Sequence, residues 1–175
     1  YTKLDKLLSE EKWQKLIEFT YIGNLPKNFK FINAKHIEPL AGNDLAQQLS
    51  KNNLYITASL NEPSGNHHVE AALCGLPIMY IDSGGIKEYC KDFGIEFDSN
   101  SLESKIIEFK EHYEIYNAKM ETYPHTSNKM CEEYLNLFLK AYSNRDKVKK
   151  FNGTMASKQI YKIKQLLYKY FHNLN

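Results

Sequence analysis

Cysteine is scarce in this sequence, and no apolar run reaches the roughly 18 residues that a membrane-spanning helix needs. The three cysteines, Cys74, Cys90 and Cys131, are odd in number and show no CxxC spacing. Such usage argues against a disulfide framework and a structural zinc site, and a reducing, cytoplasmic setting fits it best. We therefore interpret all three as ordinary packed or half-exposed thiols.

An initiator methionine and a signal-peptide pattern are also lacking, and the first residues already fit a helix. We therefore expect the chain to be a fragment of a longer protein. Its 42% hydrophobic and 25% charged residues are typical of a folded globular domain, and 175 residues are enough to bury a sizeable core.

The net charge of +2 is unevenly distributed along the chain. Residues 1–143 carry 15 basic and 20 acidic side chains, whereas residues 144–175 carry 8 basic and 1 acidic. This contrast predicts a mildly acidic folded domain followed by a basic loop and an amphipathic C-terminal helix. The body has no stripe of interleaved basic and aromatic residues, so we do not expect it to bind nucleic acid.

Strand-like and helix-like patterns alternate through the body, which favours an α/β fold with a parallel sheet covered by helices on both faces. Strands are predicted at residues 19–23, 29–33, 54–58, 77–81 and 94–97. A helix is predicted between the third and fourth of these strands, from about residue 66 to 74. Gly75 follows as its C-terminal stop.

The most informative stretch runs from residue 58 to 89 and reads ASLNEPSGNHHVEAALCGLPIMYIDSGGIKEY. A buried strand leads into a loop with Glu62 and Gly65, and the following helix carries Glu70. Ligands of open α/β sheets bind at the C-terminal ends of strands, where this loop is expected. The helix start offers free N–H groups to a diphosphate, and Gly65 permits close backbone approach. The Glu70 carboxylate can accept both hydroxyls of a ribose.

These residues resemble the retaining glycosyltransferases of the GT-B fold, family 4. That family has two glutamates separated by seven residues, a small-residue helix, a Gly-x-Pro step, a buried strand and a Gly-Gly turn. The residues that match in order and spacing are Glu62, Glu70, Ala71, Ala72, Gly75, Pro77, Ser83, Gly84, Gly85 and Glu88. The resemblance implies a Rossmann-like sheet, the C-terminal donor-binding half of such an enzyme.

The resemblance also implies roles for individual residues. The expected donor-binding residues are Glu62, Pro63, Ser64, Gly65, Asn66, Glu70, Asn33 and Ala34. Glu62, the expected catalytic residue, would contact donor-sugar hydroxyls near the anomeric carbon, and Glu70 would hold the ribose. The backbone of residues 63–66 would face the sugar and diphosphate, and the turn at Asn33 and Ala34, after the second predicted strand, would touch the base.

The activity implied is transfer of a hexosyl group from a UDP- or GDP-sugar to an acceptor hydroxyl with retention, without a required metal or other cofactor. The expected acceptor is a surface glycan or its lipid-linked precursor. Family members carry a diphosphate-binding Arg and Lys after the first strand of this domain, and no counterpart is found here. We therefore expect the chain to lack that strand and the acceptor-binding N-terminal domain, and to be inactive alone.

Two other functions remain open, namely a nucleotide-sugar epimerase of GT-B architecture and a non-catalytic nucleotide-sugar-binding module. His67 and Glu70 have the i, i+3 spacing of metal ligands, but a third ligand is not evident. His67 and His68 are more simply helix-start side chains, one of which could hydrogen-bond a donor phosphate. Gly84 and Gly85 either form a turn or contact the sugar.

The basic C-terminal segment also has two interpretations. Its predicted helix carries an apolar stripe of Ile160, Ile163, Leu167 and Tyr170, flanked by lysines. The stripe would pack against the missing N-terminal domain, or the helix would lie peripherally on an anionic membrane.

Overall fold

The structure is a computed structural model that describes residues 1–145 and Lys162. The chain divides into two compact units, Tyr1–Ser127 and Asn128–Asn175. Every strand of the described residues belongs to the first unit. The C-terminal helix predicted around Ile160 and Tyr170 lies outside the described residues, so both interpretations of it stay predictions.

Short strands and helices alternate along the first unit. In chain order the elements are α1 (Thr2–Leu7), α2 (Glu11–Gln14), β1 (Thr20–Ile22), β2 (Lys35–Ile37), α3 (Gly42–Leu49), β3 (Tyr55–Thr57), α4 (Asn66–Leu73), β4 (Ile78–Tyr80), α5 (Ile86–Cys90), β5 (Gly94–Glu96), α6 (Leu102–Glu111) and α7 (Tyr113–Met120). Helix α8 (Ser127–Ser143) follows, and all but its first residue belong to the second unit.

All strand pairs in the described residues are parallel, which confirms the predicted α/β class. The strands form two small sheets, β1–β2 and β3–β4–β5, rather than the single sheet that was predicted. Tyr1 has contacts with both sheets. Its ring lies 5.5 Å from that of Tyr21 on β1, and it lines one cleft together with Tyr55 and Ile56 of β3.

Strand β4 is the centre of the core because its three residues are completely or almost completely buried. Alternate strand residues point to opposite faces of a sheet, so Met79 packs on one face and Ile78 and Tyr80 on the other. The Met79 side is covered from α1, α2 and α6, and the Ile78 side from α4, α5 and α7. The prediction of helices on both faces is therefore confirmed.

The predicted strand at residues 29–33 is wrong, because the second strand is β2, at Lys35–Ile37. The reason lies in α1, where the buried Asp5 carboxylate accepts hydrogen bonds from the backbone N–H groups of Ile32, Asn33 and Ala34. Three consecutive N–H groups that converge on one carboxylate are incompatible with the alternating directions of a strand. Asn33 and Ala34 thus precede β2 instead of following a strand.

Candidate functional site

The Glu62 loop follows the C-terminal end of β3 and is fastened to the turn that follows β4. The backbone N–H of Gly85 donates to the Glu62 carbonyl oxygen at 2.8 Å. The N–H of Asn61 donates to Ser83 Oγ at 2.7 Å. Because β3 and β4 are parallel neighbours, their C-terminal ends lie at the same edge of the sheet. The loop therefore occupies the edge where ligands of such sheets bind.

Gly84 and Gly85 form the turn that holds this loop. Gly84 has φ +67°, and a Cβ built on it would lie 2.2 Å from the Glu62 carbonyl oxygen. A Cβ on Gly85 would lie 2.4 Å from the Pro63 carbonyl oxygen. The two backbones therefore approach each other more closely than any side chain permits. A direct contact of either glycine with a sugar stays a prediction.

Helix α4 begins directly after Gly65, whose extended backbone forms the N-cap without a side-chain cap. The N–H groups of the first turn thus have no N-cap side chain to which they could donate, and they favour an anion. At the other end, Gly75 (φ +83°) donates to the Ala72 carbonyl and Leu76 to the Ala71 carbonyl. This is a Schellman motif, and it confirms the predicted stop of the helix at Gly75.

The charges of Glu62 and Glu70 act on the same imidazole. Burial lowers the pKa of His67, and the carboxylates of Glu62 and Glu70 both oppose that shift. Glu62 is partly exposed and Glu70 is exposed, and neither carboxylate forms an ion pair or hydrogen bond in the described part of the chain. Both carboxylates are therefore near the first turn of α4 and uncommitted to other side chains.

His67 is the most constrained side chain beside Glu62. Its Nδ1 lies 3.1 Å from the Tyr55 hydroxyl on β3. Its Nε2 is buried and has no partner among the described residues. A Cβ built on Gly65 would lie 2.8 Å from this Nε2 and 3.0 Å from Glu62 Cδ, so the two groups face the same small space. Tyr55 was not predicted from the sequence, which gives no sign of the strand face that a tyrosine occupies.

His68 is fully buried, and neither of its ring nitrogens has a partner in the described part of the chain. Its ring lies 5.3 Å from that of Tyr89, whose hydroxyl is 3.3 Å from Ser64 Oγ. Burial, reinforced by the neighbouring charge of His67, lowers the pKa of His68 to about 4. The charge of Glu62 opposes that shift, as it does at His67. His68 is thus a core residue beneath the loop, and the histidine that shares the space beside Gly65 with the Glu62 carboxyl group is His67.

Asn33 and Ala34 belong to a different part of the first unit from Glu62. They directly precede β2, in the two-stranded sheet, whereas the Glu62 loop follows β3 in the other sheet. Their backbone N–H groups are both taken up by the Asp5 carboxylate at 2.8 Å. A contact of these residues with a nucleotide base stays a prediction.

A cleft of about 200 Å³ lies between the two sheets, lined by β1 and β3 residues with Tyr1, Leu49, Leu76 and His67. Glu62 and Glu70 do not line this cleft. His67 lines it, and its Nε2 faces the same space as the Glu62 carboxyl group.

In the described residues no group of three or more His, Cys, Asp or Glu side chains is placed to hold a metal ion. The described helices also include none with the length and hydropathy needed to cross a membrane.

Comparisons with protein-family models and with curated proteins found no match to this chain. The resemblance to glycosyltransferases therefore rests on the sequence of the stretch 58–89 and stays a prediction.

Proposed function

We propose that the chain is the donor-binding part of a retaining glycosyltransferase of the GT-B type. It would transfer a hexosyl group from a UDP- or GDP-sugar to an acceptor hydroxyl, in the synthesis of a surface glycan on the cytoplasmic side of a membrane. One observation carries the proposal. At the end of β3, the Glu62 backbone is held by a glycine turn, and the Glu62 carboxylate shares the neighbourhood of His67 with Glu70.

Each part of this arrangement suits one part of a nucleotide sugar. The first turn of α4 offers backbone N–H groups and a positive dipole end to the diphosphate. The Glu70 carboxylate has two oxygens that can accept both hydroxyls of a ribose. Glu62, at the loop tip, would contact the hydroxyls of the sugar, and the missing side chain of Gly65 leaves the space that the His67 ring and the Glu62 carboxyl group occupy.

Catalysis in this proposal is electrostatic rather than covalent. When the bond between sugar and diphosphate breaks, negative charge grows on the leaving phosphate, and the preorganised N–H groups at the start of α4 stabilise it. The proposal requires no metal or other cofactor. The acceptor, a glycan or its lipid-linked precursor, would be bound by a separate N-terminal domain. We therefore expect this chain to bind a donor without transferring its sugar.

Isothermal titration calorimetry of this chain with uridine and guanosine diphosphates tests the proposal. We expect saturable binding of one of them, and at least a tenfold loss of affinity in Glu70→Gln. Hydrogen bonds to a charged group contribute about 1.5–3 kcal/mol each, and the amide offers only one acceptor oxygen. Glu114→Gln, which removes the charge of an exposed glutamate on α7, is the matched control and should bind normally.

The same titrations can contradict the proposal. If the wild-type chain binds neither diphosphate, or if Glu70→Gln and Glu114→Gln behave alike, the nucleotide site is not at α4. Product analysis with the complete enzyme then separates transfer from epimerisation, because an epimerase converts the donor sugar without any acceptor.

A further inference from the structure

The hydrogen bond between Tyr55 and His67 selects one tautomer of the imidazole. The Tyr55 hydroxyl has no other hydrogen-bond partner in the described residues, so its proton has one acceptor available, His67 Nδ1. If Nδ1 carried the ring proton instead, the tyrosine proton would be left without an acceptor in a half-buried place. The favoured arrangement has the Tyr55 O–H donating to Nδ1 and the ring proton on Nε2.

The neighbourhood of Nε2 favours the same tautomer. Nε2 faces the small space beside Gly65 into which the Glu62 carboxyl group also projects. A bare nitrogen lone pair next to a carboxylate would be repelled, whereas an N–H is attracted to it. Burial lowers the pKa of His67, which keeps the ring neutral near pH 7 and leaves Nε2–H as its single donor.

We infer that His67 is a positioning residue for Glu62: Tyr55 fixes the tautomer, and Nε2–H donates to the Glu62 carboxylate when that carboxylate receives the donor sugar. This role rests on the proposed function. Nε2 is buried and has no partner among residues 1–145, and a buried unmade hydrogen bond costs about 1–3 kcal/mol. Rotation of the partly exposed Glu62 side chain toward Nε2 removes that cost and fixes the carboxylate.

A phosphate is a poorer partner for Nε2 than Glu62 itself. A phosphate oxygen beside Nε2 would lie in the space that the Glu62 carboxyl group also faces, and like charges about 4 Å apart repel each other. His68 is no alternative, because it is fully buried and packs against Tyr89. Among the described residues, His67 is therefore the histidine whose free ring donor faces the space beside Glu62.

The tautomer is measured directly by long-range ¹H–¹⁵N correlation spectra of the histidine rings in the 175-residue chain. We expect wild-type His67 with the proton on Nε2, and a mixture of tautomers in Tyr55→Phe. Tyr113→Phe is the matched control, because its hydroxyl accepts from Asn53 Nδ2 and has no part in the histidine contact. A wild-type ring protonated on Nδ1 would overturn the inference whatever the chain binds.

Binding then tests the positioning role, with nucleoside diphosphates and nucleoside diphosphate hexoses as probes. We expect Tyr55→Phe and His67→Phe each to weaken binding of the hexose donor about three- to tenfold, the effect of one hydrogen bond. Affinity for the diphosphate without sugar should be unchanged. In a Glu62→Gln background, His67→Phe should add no further loss, because the carboxylate that it positions is gone.

The two proposals fail in different ways. Equal losses for hexose donor and diphosphate in His67→Phe, with an unchanged unfolding midpoint, would make His67 a phosphate contact and overturn its role in positioning Glu62. Full affinity for both probes would overturn it as well. If wild-type protein binds no probe, the proposed function fails, and the role of His67 fails with it.

Discussion

Replacing Gly84 by alanine is the sharpest test of how the Glu62 loop is held. The new methyl group would lie 2.2 Å from the Glu62 carbonyl oxygen and 2.8 Å from the Glu62 nitrogen, both backbone atoms that cannot rotate away. Alanine would also have to adopt φ +67°, in the left-handed region. The loop and the turn must therefore separate by about 1 Å before the variant can fold with normal contact distances.

Two contributions set the size of the effect. The left-handed backbone costs an alanine roughly 1–2 kcal/mol. Separation of the backbones breaks the Gly85-to-Glu62 and Asn61-to-Ser83 hydrogen bonds, which contribute about 0.5–1.5 kcal/mol each. We expect the free energy of unfolding to fall by about 2–5 kcal/mol, and the affinity for a nucleotide sugar to fall at least tenfold.

Urea unfolding, followed by the fluorescence of the buried single tryptophan, Trp13, measures this loss. Gly75→Ala is the matched control: Gly75 has φ +83°, but no atom lies within 4 Å of its added Cβ. It should lose only the backbone contribution of about 1–2 kcal/mol and bind normally. If Gly84→Ala is no less stable than Gly75→Ala, the loop is not held by this contact and the reasoning is wrong.

Two further predictions concern groups that fix the surroundings of the site. Burial raises the pKa of Asp5, but its hydrogen bonds from residues 32–34 outweigh this and leave the pKa lowered, so its stabilisation should be present above about pH 4 and lost as the pH falls through the folded-state value. Asp5→Asn should lower the free energy of unfolding, measured with urea at pH 7, by about 1–3 kcal/mol. It should also reduce the fall of this free energy at acidic pH, and an equally steep fall in the variant would contradict the prediction. The pKa of His68 is lowered to about 4, so the ring stays neutral in the folded state while it protonates in the unfolded chain. The contribution of His68 to the free energy of unfolding should therefore be complete above about pH 6.5 and decline toward pH 4. His68→Phe should remove that decline in unfolding curves measured between these pH values, and a wild-type stability that is flat over this range would refute the assignment.

Local patterns predicted those parts of the fold in which local interactions decide the structure. The apolar run around Ile78 correctly predicted β4, and Gly75 correctly predicted the end of α4. A buried strand and a Schellman motif both depend on residues within a few positions of each other. The predicted position of the second strand was wrong because the carboxylate of Asp5, in α1, accepts hydrogen bonds from the N–H groups of residues 32–34. Asp5 is too far away in the sequence for the local pattern of residues 29–33 to reveal this interaction.

The same distinction applies to the site. The spacing of Glu62, Gly65 and Glu70 predicted a loop, a helix start and a helix residue in that order, and the structure has Gly65 as the N-cap of α4 and Glu70 within the helix. The contact of His67 with Tyr55 depends on how α4 packs against β3, which no spacing encodes. The division into two sheets was equally unpredictable, because alternating patterns indicate strands and leave their partners open.

Asp5 and Glu62 are acidic residues whose side chains are held in opposite ways. The Asp5 carboxylate is buried and fully used by three backbone N–H groups, so its conformation serves the fold. At Glu62 the backbone is fixed, through a left-handed Asn61 and the Gly84 turn, while the carboxylate has no hydrogen bond in the described residues. The constraint on the backbone contributes to stability through the hydrogen bonds of the loop, whereas the free carboxylate makes no such contribution within the described residues. A free carboxylate on a fixed backbone is what the proposed contact of Glu62 with a donor sugar requires.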